Sequence, residues 1–245
     1  MRYFITLSFD GTDYCGWQRQ PHSPSVQETL EKALSTILRQ ETEIVGAGRT
    51  DTGVHAKMMV AHFDTDVPID NLVYKLNRLL PRDVVVDRIE QVDGEMHARF
   101  SATARTYHYY IHTRKSPFLN RFSTEISFPL DFDLMNEAAS CLLEYEDFGA
   151  FCKSHTDVKT TLCRVTEARW QRIDDERWVF VVTANRFLRN MVRAIVGTLV
   201  DVGRRRLTVE GFRAIIEGRQ RTKAGDSASA RGLFLWNIEY PRSAE

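Results

Sequence analysis

Residues 46–56, GAGRTDTGVHA, are the most informative stretch of this 245-residue sequence. Three glycines within its first eight residues indicate backbone that turns tightly or approaches other groups closely. Arg49, Asp51 and His55 stand among these glycines, between two segments of strand-like sequence. Functional side chains often lie on loops held by a rigid scaffold, so the stretch predicts a functional loop, although a simple polar turn has the same local pattern.

Outward from this loop, hydrophobic periodicity predicts alternating strands and helices. The predicted strands are residues 3–9, 43–47, 58–64, 83–92, 103–113, 164–172, 178–184 and 233–240. The predicted helices are residues 26–39, which follow a capping box at Ser25 and Glu28, a helix from a cap at Asp70 to Leu80, and residues 134–145, 187–202 and 208–217. Because β-hairpins are mixed with helices in each half, we expect an α+β fold with mostly antiparallel sheets and helices packed on one face.

The composition is that of a globular protein, with 43% hydrophobic residues and a formal net charge of zero. No apolar run approaches the roughly 20 residues that span a bilayer, and the first residues lack a signal-peptide core, so we expect a cytoplasmic protein and no membrane partner. The charge is unevenly distributed. Residues 97–121 contain five basic and no acidic residues, and residues 186–231 contain eleven basic and four acidic residues. Such clusters favour a nucleic-acid-binding surface, but solvated helix faces have the same pattern.

Motifs for cofactors and metals are weak or absent. No GxGxxG follows the first strand and no GxxxxGK[ST] occurs, so no nucleotide cofactor is expected. Two sets of potential metal ligands occur: Cys152, His155 and Cys163, and Asp51, His55 and His62. Neither set has the complete ligand pattern of a known centre, and we expect no metal. Residues 51–53, DTG, are also the tripeptide of aspartic proteases, which need two facing aspartates, but the chain has only one such tripeptide.

Residues 48–56, GRTDTGVHA, resemble the active-site motif of tRNA pseudouridine synthases of the A type. Further segments resemble this family in the same order: 10–20 (DGTDYCGWQRQ), 25–28 (SVQE), 97–102 (HARFSA), 105–109 (RTYHY), 187–193 (FLRNMVR) and 232–235 (GLFL). The resemblance spans nearly the whole chain. One departure is Thr52, where alanine or serine is usual, and it leaves the neighbouring aspartate in place.

The resemblance implies an isomerase with the pseudouridine synthase fold, which has two similar subdomains and the active-site cleft between them. We expect residues 1–103 to carry the Asp51 loop and residues 104–245 to carry the late helix and the basic surface. The expected reaction converts uridine to pseudouridine, without a cofactor, on the 3′ side of the tRNA anticodon stem-loop (positions 38, 39 and/or 40). The resemblance also implies a homodimer whose two chains together form the RNA cleft.

The family's functional residues are matched by four positions here. The resemblance makes Asp51 the nucleophile, and attack on the sugar, attack on the base and a first step as a base are all compatible with the motif. It gives Arg49 a role in extruding the target base and pairs Arg193 with the Asp51 carboxylate. It makes Tyr107 the ring that stacks on the flipped uracil, with Tyr109 and Tyr110 as alternatives. Phosphate contacts are expected from Arg99, Arg186, Arg189, Arg204, Arg205 and Arg206. A tRNA-binding protein without catalytic activity, which needs the basic surface but not Asp51, is the alternative function.

Overall fold

The computed structural model describes residues 1–153, 156 and 158–241. Its elements, numbered along the chain, are β1 (Arg2–Phe9), α1 (Val26–Leu38), β2 (Val45–Gly46), β3 (His55–Asp64), α2 (Leu72–Leu79), β4 (Val84–Val92), β5 (Ala104–His112), β6 (Thr124–Glu125), α3 (Phe132–Cys141), β7 (Val165–Arg172), β8 (Arg177–Ala184), α4 (Met191–Gly203), α5 (Val209–Gly218) and β9 (Leu233–Glu239). They form two compact units. Unit 1 contains Met1–Thr103 and the chain from Phe234 onward, and unit 2 contains Ala104–Leu233.

Unit 1 is built on a sheet with the strand order β4-β1-β3-β9. Strand β1 is antiparallel to both of its neighbours, and β9 runs parallel to β3 through the pairs His55↔Phe234 and Ala56↔Leu235. Ile5 and Leu7 of β1 are fully buried, as are Leu30 and Leu34 of α1. Residues two apart lie on one face of a strand, and residues four apart lie on one face of a helix, so each pair points to the same side. The core of unit 1 therefore contains β1, β3 and α1.

Unit 2 is built on antiparallel strands in the order β5-β8-β7. Helix α4 is buried around most of its circumference, which is typical of a core helix. Both units use an asparagine to attach a helix to an outer strand. Asn77 of α2 bonds both backbone groups of Val86 at 2.8 Å, and Asn136 of α3 bonds both backbone groups of Trp170 at 3.2 and 2.7 Å. This shared contact is consistent with two similar subdomains.

The mostly antiparallel strands and the α-helices confirm the predicted α+β class. Among the described residues, no helix has both the length and the apolar character needed to cross a membrane. The assignment of the closing segment to the second subdomain is wrong, because β9 pairs with β3 and the chain from Phe234 onward belongs to unit 1.

Several predicted element bounds are also wrong. Strand β3 starts at His55 rather than at residue 58, and helix α3 ends at Cys141 rather than at residue 145. Helix α4 starts at Met191 rather than at residue 187, because Asn190 has a left-handed backbone conformation (φ 66°) that a helix cannot include. Helix α2 starts after Asn71, which is also left-handed (φ 56°), and Asp70 is not its N-cap. The second strand is limited to Val45–Gly46, whereas the sequence predicts residues 43–47.

Candidate active site

The Asp51 loop connects β2 to β3 in unit 1. Its start is held by the amide of Ala47, which donates to the carbonyl of Val60 at 2.8 Å, and its end is a turn in which Val54 N–H donates to Asp51 C=O at 3.1 Å. Thr50 and Val54 are buried, whereas Asp51 is half-buried and Arg49 is exposed. The loop thus places its apolar and small side chains in the core and leaves the aspartate and the arginine accessible.

The turn after β1 holds this loop through backbone contacts. Gly53 N–H donates to Tyr14 C=O at 3.2 Å, and Trp17 N–H donates to Thr50 C=O at 3.4 Å. The amide of Gly11 donates to Nδ1 of His55 at 3.1 Å. Each of these bonds uses at least one main-chain group, so the path of the neighbouring chain helps to position the loop.

Two glycines of that turn lie too close to the loop for any larger residue. A Cβ on Gly11 would lie 2.0 Å from the carbonyl oxygen of Val54, and a Cβ on Gly16 would lie 2.2 Å from that of Thr50. Gly16 also has a φ of 89°, which glycine adopts without strain. The sequence motifs include residues 10–20 but assign no role to Gly11 or Gly16. The signal that could have revealed it is the pair of glycines five residues apart, opposite a glycine-rich loop.

His55 is a structural histidine. It is fully buried, its ring stacks on Phe234 with centroids 4.6 Å apart, and its Nδ1 lies 3.1 Å from a carboxylate oxygen of Asp10 as well as accepting from Gly11. Geometry contradicts the alternative in which Asp51, His55 and His62 bind a metal. Seven residues of extended strand separate the two histidines, about 23 Å at a rise of about 3.3 Å per residue.

His62 has its own structural role at the other end of β3. Its Nδ1 accepts from the amide of Ala98 at 3.2 Å, and burial lowers its pKa to about 4. In the described part of the chain, no group of three or more His, Cys, Asp or Glu side chains could hold a metal ion. Of the other set of potential ligands, Cys152 and Cys163 are buried thiols, and His155 lies outside the described residues.

In unit 2, the three candidate tyrosines have different environments. Tyr107 is half-buried in β5, and its ring meets that of Phe187 edge to face with centroids 5.0 Å apart. Tyr109, on the same face, is fully buried and its hydroxyl donates to the carbonyl of Ser229 at 2.9 Å. Tyr110 lies on the opposite face, where its hydroxyl is 3.1 Å from Nδ1 of His108. These contacts favour Tyr107 for a role with substrate, because Tyr109 is part of the core.

Arg193 lies in the first turn of α4 and is half-buried. Its Nε donates to the carbonyl of Ala228 at 2.7 Å, and Ala228 N–H donates back to the carbonyl of Arg193 at 2.9 Å. The guanidinium is therefore anchored to main chain at one edge. Such a fixed arginine is suited to binding a carboxylate or a phosphate in a defined orientation.

The structure does not bring the six predicted phosphate-binding arginines together. Arg186 and Arg189 precede α4, near Arg193, whereas residues 204–206 follow α4. The 13-residue helix separates these groups by about 20 Å, at a rise of about 1.5 Å per residue. Arg204 lies over the Phe128 ring, 4.0 Å from its centroid, and Arg205 pairs with Asp131 at 2.8 Å. Arg99 is in unit 1. The backbone N–H of its neighbour Ala98 donates to Nδ1 of His62.

Comparison with known proteins places this chain in a class. A family model described as tRNA pseudouridine synthase matches residues 5–101 and 138–241. The chain therefore belongs to the tRNA pseudouridine synthase family, and its members are isomerases.

Its relatives match over almost their full length. The chain is 57% identical over 244 residues to tRNA pseudouridine synthase A of Bacteroides thetaiotaomicron, covering 98% of this chain and 91% of that protein. It is 56% identical to the protein of the same name from Bacteroides fragilis, covering 98% and 97%. A more distant relative of that name, from Brevibacillus brevis, is 40% identical and is covered to 99%. These matches confirm the family that the sequence motifs indicate.

Proposed function

We propose that this protein isomerises uridine to pseudouridine on the 3′ side of the tRNA anticodon stem-loop, at positions 38, 39 and/or 40. The near-full-length similarity to relatives named tRNA pseudouridine synthase A supports tRNA as the substrate. The observation that carries the proposal is the Asp51 loop, in which buried neighbours hold an accessible carboxylate beside an exposed arginine.

In this proposal, Asp51 is the nucleophile. The C1′–N1 bond of uridine breaks, the bound uracil rotates, and C5 forms a bond to C1′. C5 loses a proton and N1 gains one, so atoms and electrons balance without an oxidant, a reductant or a group donor. A carboxylate nucleophile divides this displacement into two easier steps.

The three other residues assist Asp51. Arg49 inserts where the target base leaves the stack, which offsets part of the few kcal/mol that base extrusion costs. The resemblance assigns Arg193 to orient the catalytic carboxylate through its guanidinium. Tyr107 stacks on the flipped uracil, and its hydroxyl takes part in proton transfer at C5. The ring of Phe187, which meets Tyr107 at an interplanar angle of 83°, supports the tyrosine in this position.

Binding of tRNA is assigned mainly to contacts with phosphates. In this proposal the phosphates are neutralised by Arg99, Arg186, Arg189 and residues 204–206. The affinity for tRNA therefore falls steeply as the salt concentration rises. These contacts do not contribute to sequence selection. We also propose that the protein acts in the cytoplasm as a homodimer whose two chains together form the tRNA cleft. Light scattering of the purified protein at working concentration measures the oligomeric state directly.

The catalytic assignment is tested by tritium release from tRNA transcripts labelled at C5 of uridine. Asp51→Asn is nearly isosteric and is expected to lower the rate by on the order of 10³-fold or more, with the Kd for tRNA within a few-fold of wild type. The matched control is Asp87→Asn, at an exposed position of β4 in the same unit, which should keep the wild-type rate.

Each outcome of this assay selects one function. If Asp51→Asn releases tritium at the wild-type rate, Asp51 is not the nucleophile. No release by wild type, with tight tRNA binding intact, would favour the non-catalytic tRNA-binding protein. Transcripts that carry a single uridine at position 38, 39 or 40 then determine which of these positions is modified.

A further inference from the structure

Arg193 is held by a short segment that lies along α4, which we call the strap (residues 224–228). The strap runs antiparallel to the helix. Gly225 N–H donates to Oγ1 of Thr198 at 3.0 Å, and Ala228 exchanges two hydrogen bonds with Arg193. Between these points the contact is close, because a Cβ on Gly197 would lie 1.7 Å from the carbonyl oxygen of Asp226. The position of the strap therefore determines the position of the Arg193 Nε.

Ser227 connects the strap to its surroundings. Its hydroxyl oxygen accepts from Nδ2 of Asn190 at 2.6 Å and from Nη2 of Arg221 at 2.9 Å. The other terminal nitrogen of Arg221 donates to the carbonyl of Gly225 at 3.1 Å. One side chain from the start of α4 and one from the turn before the strap thus meet on a single hydroxyl, next to the residue that holds Arg193.

Asn190 is used in an unusual way for a residue that precedes a helix. An N-cap side chain ordinarily accepts from a backbone N–H in the first turn, which stabilises the helix. Asn190 makes no such bond, and its amide donates to Ser227 instead. The start of α4 therefore forgoes a stabilising cap, and the side chain secures the strap.

We propose that Asn190, Ser227 and Arg221 are positioning residues for Arg193. They fix the strap, and the strap carbonyl of Ala228 accepts from Nε and orients the guanidinium for its proposed role in catalysis. This inference rests on the proposed role of Arg193. It extends that role to three residues that touch neither substrate nor reacting atoms.

The test is the single-turnover rate of tritium release, measured with the tRNA Kd, for Ser227→Ala. Small errors in the placement of a catalytic group lower the rate steeply, so the rate should fall by about 10-fold with Kd within about 2-fold. Ser229→Ala removes the same hydroxyl two residues later, where the backbone carbonyl makes the contact with Tyr109, and should match wild type. Ser227→Thr keeps the hydroxyl and should recover most of the rate. The inference is contradicted if both alanine variants lose rate. It is also contradicted if Ser227→Ala keeps the wild-type rate.

A double-mutant cycle separates positioning from general destabilisation. If Ser227 acts through Arg193, Ser227→Ala should have no further effect on the rate in an Arg193→Lys background. An equal loss in both backgrounds overturns the inference, since it indicates an effect on folding or on another residue. The two proposals fail differently. If the wild-type protein releases no tritium, the proposed function is contradicted. If the wild-type protein releases tritium and Ser227→Ala does so at the same rate, only the positioning role is contradicted.

Discussion

The Asp51 loop in unit 1 and the first turn of α4 in unit 2, which carries Arg193 and is called the Arg193 turn, are held in different ways. The loop is positioned by main-chain contacts with the turn after β1, where Gly11 and Gly16 allow the two backbones to approach closely. The Arg193 turn is positioned by the strap, which a side-chain network centred on Ser227 secures. The loop that carries Asp51 thus depends on close backbone approach, and the turn that carries Arg193 depends on side-chain hydrogen bonds.

This difference has a physical reason. Close backbone packing holds the Asp51 loop at little cost in side-chain entropy. A guanidinium has several donors and a long flexible stem, so it needs acceptors at defined positions to select one orientation. Adding a methyl group should therefore damage the first region, and removing a hydrogen-bonding group should damage the second.

Among the tests of this comparison, the largest expected effect follows from Gly16→Ala. The new methyl group would meet the Thr50 carbonyl, and the backbone is at a φ of 89° that alanine adopts only with strain. We expect tritium release to fall by about 100-fold or more and the free energy of unfolding to fall by about 1–3 kcal/mol. Gly94→Ala in the same unit, where nothing lies within 4 Å of the new Cβ, should change neither quantity. Full activity of Gly16→Ala would mean that the close approach does not position the loop.

Acid sensitivity should be the same in both units. Burial lowers the pKa of His62 in unit 1 and of His108 in unit 2 from 6.5 to about 4. Above pH 6.5, both histidines are neutral in the folded and the unfolded chain. As the pH falls from 6.5 to 4, the unfolded chain binds protons that the folded chain does not. The free energy of unfolding therefore decreases, by up to about 3 kcal/mol for each histidine.

Urea unfolding followed between pH 7.5 and pH 4 measures this loss. His62→Asn keeps an acceptor near the Ala98 amide but cannot titrate in this range. It should reduce the slope of unfolding free energy against pH by up to about 1.4 kcal/mol per pH unit. An unchanged slope would show that His62 is not kept neutral by burial.

The smallest effects come from a pair of matched asparagines. Asn190 and Asn71 both precede helices with left-handed backbone (φ 66° and 56°), and neither side chain caps its helix. Glycine accepts this conformation, so Asn190→Gly and Asn71→Gly should each change the free energy of unfolding by less than about 1 kcal/mol. Only Asn190→Gly removes the bond to Ser227, and it should lower the rate of tritium release by about 5-fold. Equal rates for the two variants would remove Asn190 from the positioning network.

Local patterns in the sequence predicted much of the secondary structure. The strand at residues 3–9 is confirmed by β1, and the helix after Ser25 is confirmed by α1, where the Ser25 hydroxyl accepts from Glu28 N–H at 3.3 Å. Two helix starts, those of α2 and α4, were predicted wrongly because the residue before each helix has a positive φ. Hydrophobic periodicity reports which side of an element is buried and carries no information about such a residue.

By itself, the sequence determined the α+β class, most element positions and the family, because periodicity and short motifs are local properties of the chain. Only the tertiary structure decided that β9 belongs to unit 1, that the arginines lie at both ends of α4, and that Gly16 and Gly197 are sites of close backbone approach. These features depend on contacts between residues far apart in the chain, such as Gly16 with Thr50 and Gly197 with Asp226. Packing creates such contacts, and no local sequence pattern encodes them.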